Sequence, residues 1–520
     1  MDPAGPPPAA PPTAPAASPV AATPPVAAPP TTTRPATTLP ATIGALLPAL
    51  ADEAPDRTAL VCDGGAIDRR ALVTGIAARA AFLAAATAPG AGVGLALPNG
   101  PDLLLGFLAC AISGRQGLVY DTGWPAPYRA AIEAALAPPL TLLGSERFDP
   151  APPVSDVPGW PAPPAPDAPF YVGFTSGSTG TPKGYRRSHR SWVESFAVSE
   201  AEFGLSPADV VLAPGGLAAS LHLYGLVHAL HIGAEAVMMR RFHPGRALAL
   251  IERRGVTALY ATPTQLQMLA EAGAGRALGS LRLIMTSGAK WPPAGRAAVE
   301  RLFPRAALAE FYGASELSFV TVALPGEDVP AGSVGRAARG VELEIRDAAG
   351  RGLPPGAVGA VWVRSGMLFQ DYACGGAPIA RREGWMSVGD HGALDARGFL
   401  TLHGREKRML VTSGLNVYPE EVEAVLAAAP GVAEAVVFGR ADGLRGVELV
   451  AAVRAAADAP AAALAAATLR AHCRARLPGA KVPRRFVRLE AFPRTAGGKA
   501  DLVALRDEVE ARLAAGEGAA

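Results

Sequence analysis

The stretch 171–184 reads YVGFTSGSTGTPKG. Tyr171 to Phe174 predict a short strand, being mostly aromatic or β-branched. The composition then changes abruptly. Between Thr175 and Lys183 there are five hydroxyls (Thr175, Ser176, Ser178, Thr179, Thr181), two glycines (Gly177, Gly180) and one lysine, Lys183. Glycines let backbone N–H groups turn toward an anion. The hydroxyls add donors, and the lysine adds a compact positive charge. Ser188 or Ser191 can cap a following helix, and SWVE at 191–194 has capping-box spacing. A strand, a hydroxyl–glycine loop, a lysine and a helix, in that order, describe a phosphate cradle. A Gly/Ser-rich linker is the competing reading, but this run follows a strand and carries Pro182 and Lys183. A Walker A loop is excluded, because Lys183 lies between Pro182 and Gly184. A nucleophile elbow is excluded too, because no serine here has glycine at both −2 and +2.

The elements that would hold this loop follow from the patterning. The chain has 520 residues, half of them apolar, with 48 basic against 46 acidic side chains. That length predicts two to four domains, and the balance of charge suggests neither a nucleic acid nor a charged membrane surface as partner. Four distant cysteines, Cys62, Cys110, Cys374 and Cys473, make neither a disulfide framework nor a zinc site, which suits a reducing cytoplasm. Residues 1–40 hold 14 Pro, 11 Ala and 7 Thr, with no charged n-region before an apolar core. They predict a disordered, partly polyproline II arm. No apolar run is long enough for a transmembrane helix.

Strands are expected at Thr58–Cys62, 93–97 and 118–120, with an apolar helix at Pro101–Ile112. A loop with nine prolines follows at 150–169. After the cradle, strands at 210–212, 236–239, 257–260 and 283–285 alternate with helices at 245–254 and 292–303. This rhythm argues for doubly wound α/β layers in a large domain, residues 41–403. From about Ser333 short strands (341–346, 358–363, 399–403) predict a small β-rich subdomain within it. Residues 404–520 predict a small α+β domain. Its helices are expected at 419–428, 461–477 and 502–513, and its strands at 433–438 and 449–453.

Other stretches could do chemistry: SLHLYG at 220–225, SGA at 287–289, FYGASE at 311–316, WMSVGD at 385–390, GREK at 404–407, VTSGLNVYPEEVE at 411–423 and PRTAGGK at 493–499. Together with TSGSTGTPKG they resemble, in order, the motifs of the adenylate-forming enzymes. These are the acyl-CoA synthetases, peptide-synthetase adenylation domains and beetle luciferases, and the likeness is greatest to a bacterial acyl-CoA synthetase. The resemblance runs from about Thr42 to Leu513. It implies a two-step reaction: a carboxylate attacks the α-phosphorus of Mg·ATP to give acyl-AMP and pyrophosphate, then a thiol displaces AMP.

The resemblance also implies roles. The 175–183 loop holds phosphate. Tyr312 lies beside adenine with Gly313, Ser315 contacts the α-phosphate, and Glu316 binds Mg²⁺. Asp390 holds the ribose, although Val388 stands where threonine is usual, and Arg405 touches ribose and phosphate. Lys407 is the hinge about which the small domain swings. Gly414 lets the pantetheine arm of coenzyme A pass. Lys499 reaches the acyl carboxylate and α-phosphate, with Gly497 where a polar residue is commoner. His222 borders the acyl pocket, and Ser287, Gly288 and Ala289 form a small-residue turn beside adenine and acyl group. The catalytic residues are then Lys499, Glu316 and Lys183. The leading expectation is a cytoplasmic carboxylic acid–CoA ligase, acting on fatty or other acids. The alternatives are an adenylation enzyme loading a separate acyl carrier protein, and a non-catalytic nucleotide-binding relative. The segment 217–225 has no aspartate to pair an ammonium, which predicts an acid without an α-amino group.

Overall fold

The computed structural model describes residues 41–124, 126–144, 159–175, 183–287, 293–376, 378–405, 408–412, 415–442, 446–494 and 500–516. These fall within one compact unit, Thr38–Ala520. The expected arm, 1–40, lies outside them.

Two sheets carry the larger part of the chain. In the first, six parallel strands run side by side: Ala307–Ala314, Leu283–Thr286, Ala258–Ala261, Val210–Ala213, Glu235–Met238 and Thr58–Cys62. Sequences such as ALYA and LIMT are buried along their whole length, as parallel strands covered on both faces must be. Beyond Ala307–Ala314 the same sheet turns antiparallel through Ser318–Ala323, Ser333–Ala337, Phe399–Arg405 and Asp390–Leu394. The β-rich region expected after Ser333 is therefore hydrogen-bonded onto the doubly wound part.

The second sheet has six strands, among them Gly92–Ala96, Gln116–Val119, Pro169–Thr175, Lys183–Ser188 and Tyr372–Cys374. The helices Pro101–Ile112 and Ser220–Ile232 are apolar on nearly every side and almost wholly buried. One apolar core joins residues of both sheets and of these helices.

After Leu410 a three-stranded sheet (Val432–Asp442, Gly446–Ala455, Arg485–Leu489) packs against Pro419–Ala427, Ala466–Arg474 and Leu502–Ala514 over its own apolar clusters. The long helix expected at 461–477 is broken. Ala461–Leu464 is a 3₁₀ turn, Ala465 is extended at ψ 136°, and the α-helix starts at Ala466. Among the described residues no helix is long and apolar enough to cross a membrane.

Candidate active site

The strands that flank the hydroxyl–glycine stretch pair with each other. Pro169–Thr175 and Lys183–Ser188 are antiparallel, with Thr175 opposite Lys183. This corrects the order expected above. Lys183 opens a second strand, and the helix His189–Phe203 starts only after Ser188, whose Oγ accepts from the Ser191 N–H. Ser188 is thus the cap, and the 191–194 spacing is not used as one. The helix cannot bring its N-terminal dipole to the loop as a Walker-type turn would, since a full strand separates them. Thr175 and Lys183 are half-buried. The Lys183 Nζ lies 5.8 Å from the ring centroid of Tyr372 on the neighbouring strand. Ser176, Gly177, Ser178, Thr179, Gly180 and Thr181 lie outside the described residues.

A second turn faces this hairpin. Residues 315–317 join the antiparallel strands Ala307–Ala314 and Ser318–Ala323. The Ser318 carbonyl passes so near Gly313 that a Cβ there would lie 2.0 Å from it; only glycine permits that approach. The turn projects Ser315 and Glu316. Tyr372 Oη donates to Glu316 Oε1 at 2.6 Å, and the Phe369 N–H donates to the Glu316 carbonyl at 2.8 Å. Burial, and then the Glu316 charge, push the Tyr372 hydroxyl up, so it stays a donor at neutral pH. The buried Tyr171 and Tyr185 hydroxyls pair at 2.9 Å.

A third group lies beside the second. Asp390 and Arg405 are cross-strand neighbours, with Arg405 Nε 2.8 Å from Asp390 Oδ1. Tyr312 Oη donates to Asp390 Oδ2 at 2.5 Å. Asp390 is only 5% exposed. Its charge, ahead of the opposing effect of burial, holds the Arg405 guanidinium up. Burial, followed by that same carboxylate, raises the Tyr312 hydroxyl. Residues 15 and 78 apart in sequence thus form one cluster. A carboxylate has about four acceptor positions, so two contacts leave room for a ligand hydroxyl.

His222 sits in the first turns of Ser220–Ile232, 3% exposed. Its ring presses on Gly215, where a Cβ would fall 2.0 Å from Nε2. Asn99 braces this loop, accepting from the Leu217 N–H at 3.0 Å and donating to the Met239 carbonyl at 2.7 Å. Burial pulls His222 down to about 4, so the ring is neutral at pH 7. Its Nδ1, like Thr286 Oγ1, is buried without a partner among the described residues. Ser287 is half-buried at the carboxyl end of its strand, the edge where open α/β sheets bind ligands. Gly288, Ala289, Lys407, Gly414 and Lys499 lie outside the described residues.

The donor set fits a magnesium nucleotide. Glu316 presents a hard oxygen ligand with one of its oxygens held by a phenol. Among the described residues no cluster of three or more His, Cys, Asp or Glu side chains could hold a metal ion. A Mg²⁺ held mainly by phosphate oxygens and water requires only one or two carboxylates. Sequence reasoning missed Tyr372, which belongs to no motif. It also missed Arg187, which looks like one more cation in the run RRSHR at 186–190 but is 3% exposed.

Comparison with known proteins identifies the family. Residues 47–373 match the AMP-binding enzyme family, and residues 421–499 match the AMP-binding enzyme C-terminal domain. The chain belongs to the AMP-binding enzyme family. One member is the "uncharacterized acyl--CoA ligase YhfT" of Bacillus subtilis, 37% identical over 426 residues, which span 78% of this chain and 86% of that protein. Another is the sulfoacetate--CoA ligase of Cupriavidus necator, 31% identical over 88% of this chain and 96% of that one. Among solved structures, o-succinylbenzoate CoA synthetase (MenE) from Bacillus subtilis, in complex with its acyl-adenylate intermediate, superposes with a TM-score of 0.78. It is 26% identical and covers 89% of this chain and 97% of its own. This AMP-binding enzyme thus shares the adenylate-forming fold over 89% of its length.

Proposed function

We propose that this AMP-binding enzyme is an ATP-dependent carboxylic acid–CoA ligase. It joins an acid to ATP as acyl-AMP with release of pyrophosphate, then transfers the acyl group to the coenzyme A thiol with release of AMP. The observation that carries the reading is that the strand residues Lys183, Asp390 and Arg405 lie around the turn that bears Ser315 and Glu316, linked to it through Tyr372 and Tyr312, in a chain whose relatives are named as CoA ligases.

The substrate's own carboxylate is the nucleophile, so the protein's part is positioning and electrostatic stabilisation. Asp390, oriented by Tyr312 and Arg405, accepts from the ribose hydroxyls. Lys183, Thr175 and the loop 176–181 hold the β- and γ-phosphates. Glu316 is the protein ligand for Mg²⁺, which supplies charge neutralisation on the phosphates. Tyr312 and Gly313 border adenine, and Ser315 donates to the α-phosphate. His222, neutral at pH 7, borders the acyl group with Ser287, Gly288 and Ala289.

Residues 41–403 and 404–520 form the two domains, and Lys407 is the hinge. In the first half-reaction Lys499 meets the carboxylate and α-phosphate. Rotation then withdraws Lys499 and brings in Gly414, past which the pantetheine arm reaches the acyl-AMP. The acid lacks an α-amino group, because 217–225 offers no carboxylate to pair one.

The test is a panel of fatty, aryl and amino acids incubated with Mg·ATP, with coenzyme A, with a phosphopantetheinylated carrier protein, or with neither. AMP and thioester are measured. Acid-dependent AMP release that needs coenzyme A supports the reading. Turnover only with the carrier would make the enzyme a carrier-loading ligase. Amino-acid-dependent turnover alone would overturn the substrate class.

A further inference from the structure

The strand Lys183–Ser188 puts Lys183, Tyr185 and Arg187 on one face, by the two-residue period of a strand. Lys183 points to Tyr372, and the Tyr185 hydroxyl meets that of Tyr171. Arg187, the last of the three, has no carboxylate within ion-pair distance among the described residues, yet it is 3% exposed. Burying a guanidinium without an acid partner is costly, so its contacts must explain it. Arg187 Nη1 donates to the Ser315 carbonyl at 3.0 Å and Nη2 to the Met367 carbonyl at 2.8 Å. Nε donates to Ser191 Oγ at 3.1 Å, and Nη2 also reaches the Ser191 carbonyl at 3.3 Å. Ser191 Oγ is itself fixed, donating to the Ser188 carbonyl at 2.8 Å.

The two distant carbonyls belong to the two segments that fix Glu316. Ser315 is its chain neighbour. Met367 begins the segment whose Phe369 N–H holds the Glu316 carbonyl and whose Tyr372 holds its carboxylate. The planar fork of arginine can serve two carbonyls at a fixed separation, which the point charge of lysine cannot. Burial pulls the guanidinium down to about 10, which leaves it charged at neutral pH.

We infer that Arg187 is a positioning residue for Glu316, tying the 315–317 turn to the 367–372 segment so that the Glu316 carboxylate meets the nucleotide's Mg²⁺ in one fixed direction. The inference rests on the proposed role of Glu316 as metal ligand.

The test measures binding of α,β-methylene-ATP to the full-length enzyme by calorimetry across a Mg²⁺ titration, with no acid present. Variants are Arg187→Met, Arg187→Lys, Glu316→Gln and the double variant Arg187→Met/Glu316→Gln, and thermal unfolding is followed in parallel. Arg187→Met should raise the Mg²⁺ concentration for half-maximal binding roughly tenfold, as expected for loss of a charge-assisted contact. Arg187→Lys should recover part of that. In the Glu316→Gln background Arg187→Met should change the midpoint by less than about twofold, because residues acting through one contact are not additive.

A lower melting temperature with an unchanged Mg²⁺ midpoint would make Arg187 a structural residue only and overturn the inference. Full additivity with Glu316→Gln would overturn it as well. If Arg187→Met fails to fold, Arg187→Lys takes its place: a wild-type midpoint there overturns the inference, and a raised midpoint supports it when Arg187→Lys adds no further shift to that of Glu316→Gln. A Glu316→Gln variant with unaltered Mg²⁺ dependence overturns the metal role of Glu316, and this proposal with it.

Discussion

Two carboxylates, Glu316 and Asp390, are each gripped by a tyrosine hydroxyl, yet they are built for different work. Asp390 is 5% exposed and has its own guanidinium, Arg405, 2.8 Å away, besides the Tyr312 phenol at 2.5 Å. Glu316 is half-buried, and Tyr372 holds one of its oxygens at 2.6 Å. Among the described residues no cation lies within ion-pair distance of Glu316. A carboxylate whose charge is already balanced is a hydrogen-bonding post, suited to ribose hydroxyls. A carboxylate oriented by a neutral phenol keeps its charge for an incoming cation. The difference lies in the partner, since both tyrosine contacts are short.

The largest effect that sharpens this contrast is expected at Glu316. Glu316→Gln keeps shape and removes the charge, and should lower kcat/KM by roughly 10²–10³, as losing a preorganised electrostatic contact does. Excess Mg²⁺ should recover part of it. Asp390→Asn should instead raise KM for ATP at every Mg²⁺ concentration. Steady-state AMP release as a function of both ligands separates the two.

Removing the phenols comes next. Tyr372→Phe should cost roughly tenfold, read in the Mg²⁺ dependence, since a hydrogen bond to a charged group is worth ~1.5–3 kcal/mol. Tyr312→Phe should cost a similar factor, read in KM for ATP. Equal shifts of one parameter by both variants would erase the distinction.

A smaller effect concerns the core behind the site. His189 and His222 are pulled down to about 4 by burial, and His228 is lowered by the same cause. An unfolded histidine titrates near 6.5, so between those values the unfolded chain binds more protons than the native one. Stability is then fully present above about pH 6.5 and declines as pH falls toward 4. Melting curves across that window should show the loss, and His189→Gln should flatten it. The smallest effect is expected from deleting residues 1–40, whose composition lacks large apolar groups to offset ordering. Turnover of the shortened enzyme should match the full chain.

Much of this architecture is legible in the sequence, because buried parallel strands and apolar helices announce themselves. Thr58–Cys62 and Pro101–Ile112 form where the pattern puts them. The strand Lys183–Ser188 is not legible, since KGYRRS carries three cations and little apolar content. It is extended because Pro169–Thr175 and Tyr372–Cys374 pair with it on either side. The break at Ala465 is equally hidden, because an alanine-rich run favours helix at every position. The motif residues Tyr312, Glu316, Asp390 and Arg405 stood out through the resemblance of their stretches to the family's motifs, since a short turn such as FYGASE is a weak signal by itself. Arg187 and Tyr372 did not, because their importance lies in tertiary hydrogen bonds between segments about 50 to 180 residues apart.

The most direct test of the account is acid-dependent ATP–pyrophosphate exchange, measured as a Mg²⁺ titration at saturating and at limiting ATP in the wild-type enzyme, Glu316→Gln and Asp390→Asn. Glu316→Gln should move the Mg²⁺ midpoint upward even at saturating ATP, whereas Asp390→Asn should leave that midpoint in place and shift only the ATP requirement. A Mg²⁺ midpoint that moves equally in both variants, or in neither, would contradict the division of labour between the two carboxylates.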